Sequence, residues 1–181
     1  MTTPGRASKT TGAPAPETAP AAETEAQHPY LVQIDAEREG WYELTALVQS
    51  LTPDECLVPG YYHDPDWTVR DLFAHVGTWL AEAHAQLERI VAGTYEGHDV
   101  DIDAMNAALL RGMEGQPWEV AWVQGQSARA QMIAGWNSLR EPSEEAAWWI
   151  RKAAADHYGE HLGRLREWTR ELIARRAGRS T

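Results

Sequence analysis

His157 and His161 stand four residues apart in a segment, RKAAADHYGEHLGRLREWTRELI, whose regular stripe is otherwise apolar. At about 100° per residue the two imidazoles lie about 40° apart, on the helix face of Ile150, Ala154, Leu165, Trp168 and Leu172. An unpaired polar group on a core-facing stripe costs on the order of a few kcal/mol, so both rings need partners. An i, i+4 histidine pair can share one divalent ion, the geometry used in H-E-x-x-H helices. Carboxylates or water would satisfy the rings as well, and spacing alone does not separate the two readings. A third metal ligand must come from another helix. The best placed is His75, in WTVRDLFAHVGTW, at the flank of that helix's stripe. His84 lies farther along the same helix, and His28, His63 and His98 fall in tail or loops, where they read as solvated.

Three neutral imidazoles leave a divalent ion its full charge and at least one free coordination position. Nitrogen ligands suit zinc or nickel, and a thiol or water held there loses its proton near neutral pH. Arg129 is a second candidate for chemistry. It falls near the centre of its helix stripe, where it either pairs inside the fold or meets a substrate carboxylate. Glu160, next to a ligand position but about 80° off its face, reads as a weak catalytic or supporting group. Trp79, Asn106, Tyr61 and Tyr62 are candidate substrate contacts, Asn106 being equally suited to capping. Cys56 has no adjacent base in sequence and reads as inert.

The elements that must position these groups are helical. Leu31, Ile34, Trp41, Thr45 and Val48 mark a first helix, stopped by Pro53. Thr68, with Asp71 three residues on, caps a second whose stripe runs from Val69 to Ile90 and ends at Gly93. A third runs from Pro117 through Trp118, Trp122, Met132 and Trp136 to the break at Pro142, and Ser143 caps the fourth. No segment alternates with period two. The fold class is therefore all-α, a four-helix bundle. The link of about 24 residues between helices 2 and 3, with a short helix in DIDAMNAALLRGM, is long enough to cross the bundle and let those helices run parallel.

The 181 residues allow one ordinary domain plus a tail. Residues 1–27, built from Ala, Thr, Pro, Gly and Glu without Ile, Leu, Val or aromatics, read as disordered. The bundle is expected over 28–176 and a flexible end over 177–181. The net charge is −11, of which −10 belongs to the part after residue 27. That acidity argues against nucleic acid and anionic membranes as partners. One Cys, no span of about 18 apolar residues and no signal-peptide core make the expected location cytoplasmic. Most of the nine Trp fall on or near helix stripes and read as core.

The run from Trp67 to Trp79, with its capping Thr and His-x-x-x-Trp, resembles the second helix of the DinB/YfiT-like metal-binding bundle family. Within it, the likeness is nearest to the metal-binding domain of mycothiol-dependent maleylpyruvate isomerases. Asp103, Asn106 and Ala107 resemble the family's Asp-x-x-Asn entry to the crossover, and HYGEHL (residues 157–162), then Leu165 and Trp168, its last-helix signature. The resemblance spans about residues 30–175. It implies an up-down-down-up bundle with His75, His157 and His161 as metal ligands. The isomerase carries Glu where this chain has His157, so the set here is the all-His variant. It also has a second domain, and with this chain ending at Thr181, isomerisation of maleylpyruvate itself is not expected.

Three functions follow. In the first, a metal-dependent thiol S-transferase or isomerase-like enzyme, zinc or nickel activates a low-molecular-weight thiol such as mycothiol to attack an electrophilic small molecule. In the second, water is the nucleophile and the protein hydrolyses a reactive natural product in self-protection or detoxification. In the third, the bundle binds or sequesters an aromatic ligand without catalysis. Homodimerisation through the helices is an expectation from the resemblance.

Overall fold

The computed structural model describes residues 31–63, 66–97, 101–141 and 143–179. The tail expected over 1–27, together with His28, His98 and Pro142, lies outside the described residues. In chain order come α1 (Leu31–Gln49), α2 (Pro53–Cys56), β1 (Tyr62–His63), β2 (Asp66–Trp67), α3 (Val69–Ala92), α4 (Ile102–Met113), α5 (Trp118–Ser138), α6 (Glu144–Ile150), a π-helical turn (Arg151–Ala155) and α7 (Asp156–Arg179). The molecule is an all-α bundle. Residues 177–179, within the segment expected to be flexible, are helical.

Local chemistry sets the ends of these helices. Thr68 and Asp71 form a reciprocal capping box at the start of α3, and Gly93 closes it in the left-handed conformation at φ 69°. Ser143 accepts from the Ala146 N–H at the start of α6. Between α1 and α3 the chain makes features that hydropathy did not announce. Thr52 and Glu55 box the one-turn α2, and β1 and β2 form an antiparallel pair of two residues each. That ribbon holds Tyr62 opposite Trp67.

Side-chain pairings give the helix directions. Along α3 and α5, Phe73 stacks on Trp122, Gly77 touches Gly125, and Leu87 lies beside Gly135, so the two helices run parallel. Along α1 and α7, Glu37 meets Tyr158, Glu43 meets Arg166 and Ser50 meets Arg176, again in parallel. Trp79 packs on His157 while Gly60, upstream of α3, packs on Trp168, so α3 and α7 are antiparallel. The order is up-down-down-up, with α4 in the crossover.

The stripe of α5 differs from its expected form. Ala121, Gly125, Ala128, Met132 and Trp136 face the core, whereas Trp118 and Trp122 are half-buried and pack around Phe73. The reason is close backbone approach: a Cβ on Gly77 would lie 2.8 Å from the Gly125 Cα, a separation that carbon atoms do not tolerate. Large residues therefore flank a seam of small ones. Gly77→Ala should destabilise the bundle by about 1–3 kcal/mol, seen as a drop of about 2–4 °C in melting temperature per kcal/mol. Gly163→Ala, whose Cβ meets nothing within 4 Å, should instead raise it through helix propensity. Equal melting points in the two variants would refute the close seam.

Candidate metal centre

α3 contributes His75 and α7 contributes His157 and His161, and all three side chains are buried. Their ligand atoms lie within 4.8 Å of one another. The His75 and His157 Nε2 atoms are 2.9 Å apart, and those of His161 and His157 are 3.1 Å apart. His157 Nε2 thus faces two nitrogens at once. A ring nitrogen offers one lone pair or one proton, so it can satisfy only one of them. A cation that accepts all three lone pairs resolves the conflict. Around an ion at the usual Zn–N distance, tetrahedral neighbours sit about 3.3 Å apart, so the two His157 contacts would open by a few tenths of an ångström to admit one.

The environment keeps the rings in the ligating, neutral form. Burial, and then the charge of His161, pushes His75 down to about 3. Burial alone pushes His161 down to about 4. His157 lies well below its ordinary value, through burial first and then His75 and His161, with the Ala153 backbone oxygen opposing weakly. The hydroxyl of Tyr62 lies 3.1 Å from His161 Nδ1. With Nε2 on a metal ion, Nδ1–H would donate to that hydroxyl, which can accept it. Tyr61 donates its hydroxyl to the His161 backbone carbonyl at 3.2 Å. Nδ1 of His75 is buried with no hydrogen-bond partner among the described residues.

One side of the cluster opens into a cavity of about 210 Å³ lined by Trp67, Trp79, Ile102, Asn106, Lys152 and Glu160 with the histidines. The Trp79 indole N–H donates to Asn106 Oδ1 at 3.0 Å, joining α3 to the crossover helix. Glu160 is on the cavity wall, 3.7 Å from Lys152.

The structure therefore brings together His75, His157, His161, Trp79, Asn106, Glu160 and Tyr62. Tyr61 is fully buried behind His161, and neither it nor Tyr62 lines this cavity; both line a separate one with Arg164 and Trp168. Arg129 is also placed elsewhere. It grips the fully buried Glu37 with two bonds of 2.7 Å, and Tyr158 donates to the same carboxylate at 3.1 Å. The internal pair, not a substrate carboxylate, answers its charge. Lys152, Trp67 and Ile102 were not singled out from sequence. Trp67 stands at the head of a quoted motif, but Lys152 gave no signal, because α-helical phase places it about 140° from His157.

Cys56 is buried, and its burial and the charge of Glu55 push its thiol up to about 12. It is no nucleophile at neutral pH. Among the described residues no helix is long and apolar enough to cross a membrane.

Fold and site together define a four-helix bundle with a buried three-histidine cluster. No protein-family model matches the chain, and no curated protein does either. Solved structures do share the fold. One is an uncharacterised protein from Escherichia coli UTI89, with a TM-score of 0.65 at 14% identity over 77% of this chain and 91% of that one. Another is the colibactin self-resistance protein ClbS, solved in complex with double-stranded DNA, with a TM-score of 0.63 at 16% identity over 75% of this chain and 92% of that one. At such identities the likeness establishes the fold.

The second structure corrects one expectation. Nucleic acid was excluded on net charge, yet a protein of this fold has been crystallised on duplex DNA, so the exclusion falls. Net charge averages over a surface, and here Arg164, Arg166, Arg170, Arg175, Arg176 and Arg179 concentrate positive charge along α7 within an acidic domain. Several of these are engaged: Arg166 with Glu43, Arg176 with Glu55, and Arg164 with the Gly60 and Tyr61 carbonyls.

Two outcomes follow for the cluster. Wild-type protein should take up about one equivalent of zinc or nickel by elemental analysis, and His157→Ala should lose it; full occupancy in that variant would rule out the centre. For metal-free protein, the unfolded rings titrate near 6.5 and the folded rings well below. The unfolded state therefore binds more protons at mildly acid pH. Stability is complete above about pH 7 and falls as pH drops from 6.5 toward 4, by up to about 1.4 kcal/mol per pH unit per histidine. Urea melts in EDTA at pH 7.5, 6 and 5 measure this, and His75→Gln should flatten the dependence.

Proposed function

We propose that this protein is a metal-dependent enzyme that detoxifies a reactive small molecule, with His75, His157 and His161 holding zinc or nickel. The observation that carries the proposal is the meeting of three buried Nε2 atoms on the wall of a cavity. The resemblance to DinB/YfiT-like bundles supports it, and so does the self-resistance role of ClbS, which shares the fold. A divalent ion there supplies Lewis acidity, which lowers the pKa of a water or thiol beside it. The protein's own groups do the rest. Trp67, Trp79 and Ile102 give the ligand flat apolar walls and exclude bulk solvent. Tyr62 accepts from His161 Nδ1–H when Nε2 ligates, which orients the ring.

Two nucleophiles are in contention. The family resemblance speaks for a low-molecular-weight thiol of the mycothiol kind. The geometry favours water. A cavity of about 210 Å³ is smaller than the 300–1,000 Å³ typical of sites for drug-sized ligands, and it would have to hold both thiol and electrophile. It also offers Glu160, a carboxylate able to accept a proton from water. In that reaction the water oxygen would bond to the electrophilic carbon, the electron pair of the breaking carbon–oxygen bond would pass to the departing oxygen, and the water's proton would pass to Glu160 and from there to that oxygen.

Zinc- or nickel-loaded protein incubated with an epoxide such as styrene oxide tests this. Turnover without thiol, lost in His157→Ala and lowered about 100-fold in Glu160→Gln, is the expected result. Turnover only with added thiol would reverse the choice of nucleophile. Binding without turnover would make the bundle a sequestering module.

A further inference from the structure

We propose that Lys152, assisted by Asn106, binds a carboxylate or carbonyl oxygen of the ligand that enters the histidine cavity, which makes that ligand a small electrophile carrying such an oxygen. The inference rests on the reading of this cavity as the reactive site.

Lys152 reaches the cavity through an irregularity of the last helix. In uninterrupted α-helix the residue five positions before His157 points about 140° away from it. Here residues Arg151–Ala155 form a π turn in which the Asp156 N–H bonds to the Arg151 carbonyl, five residues back. The extra residue in the turn shifts the phase, so Lys152 and His157 line one cavity. π turns are rare, and they occur frequently at functional sites.

The ammonium delivered there is weakly committed. Its pair with Glu160 is 3.7 Å long, with the two side chains 32% and 58% exposed. Ion pairs so open to water contribute little and exchange readily, so a ligand oxygen can take the place of Glu160. Asn106 supplies a second donor. The Trp79 indole can only donate, and it is bonded to Asn106 Oδ1, which leaves the amide nitrogen as the end able to donate to a ligand. Two donors beside the apolar surfaces of Trp67, Trp79 and Ile102 suit a flat molecule with one oxygen-bearing end.

The test is a titration followed by Trp fluorescence, in EDTA-treated and in zinc-loaded protein, with benzoate, benzamide and toluene as probes of one shape. Benzoate or benzamide should bind about tenfold or more tightly than toluene. Lys152→Met should erase that preference and Lys152→Arg should retain it, with circular dichroism confirming the fold of both. Preference for benzoate assigns a carboxylate, and preference for benzamide a carbonyl. Unchanged affinities in Lys152→Met, or no preference over toluene in wild type, would overturn the proposal. Because EDTA-treated protein is included, a wild type that takes up no zinc but keeps the Lys152-dependent preference would sink the metal reading alone.

Discussion

Three neutral imidazoles meeting nitrogen to nitrogen inside an apolar core are the constraint on which the rest of the structure depends. Such a cluster is costly by itself, because one nitrogen of His157 confronts two others and can satisfy only one. It persists only if the helices are held together by other interactions, or if an ion supplies the missing attraction. The bundle provides the first and fits the second. His75 lies on α3 between Leu72 and Trp79, while His157 and His161 lie on the stripe that continues into Leu165 and Trp168. The apolar packing of antiparallel α3 and α7 thus sets the distance between ligand atoms.

The register of α7 is secured next to the cluster. Tyr158, adjacent to His157, donates to Glu37, and Arg129 clamps the same carboxylate from α5. One fully buried charge therefore joins α1, α5 and α7. Breaking such a pair would strand the carboxylate, which costs far more than the pair itself contributes. Trp41 reinforces the junction, with the Arg129 guanidinium 5.3 Å from its ring centre and Tyr158 packed against it. Lower on α7, Arg164 holds the Gly60 and Tyr61 carbonyls, which carries the Tyr61–Tyr62 loop to the back of His161.

Period-3.6 patterning was enough to read the helices, their caps at Thr68, Gly93 and Ser143, and the length of the crossover, because each depends on local chemistry. The i, i+4 histidines were legible for the same reason, and His75 by its place near the middle of its helix, at the flank of the stripe. What sequence hid depends on contacts between elements. The small-residue face of α5 reads as weakly apolar beside Trp118 and Trp122, and only the Gly77–Gly125 approach reverses their order. Arg129 looked exposed to two answers, and the one that holds is set by Glu37, 92 residues away. Lys152 lies outside any α-helical stripe argument, since the π turn that re-aims it has no composition of its own in RKAAA.

A site of this kind faces opposed demands. The rings must be buried to stay neutral, yet a ligand must reach them. Full burial would close the free coordination position, and exposure would raise the pKa values and let protons compete for the nitrogens. The chain meets both demands by walling the opening with aromatic side chains. Trp67 packs 5.1 Å from His75 and Trp79 5.7 Å from His157, so each ring is dry on its protein side while Asn106, Lys152 and Glu160 form the polar edge of the mouth. Part of the unusual Trp content is thereby explained as insulation of the imidazoles rather than as core filling. The buried, proton-bound Cys56 does not line this mouth, so the nucleophile of the proposed reaction would have to come from outside the chain.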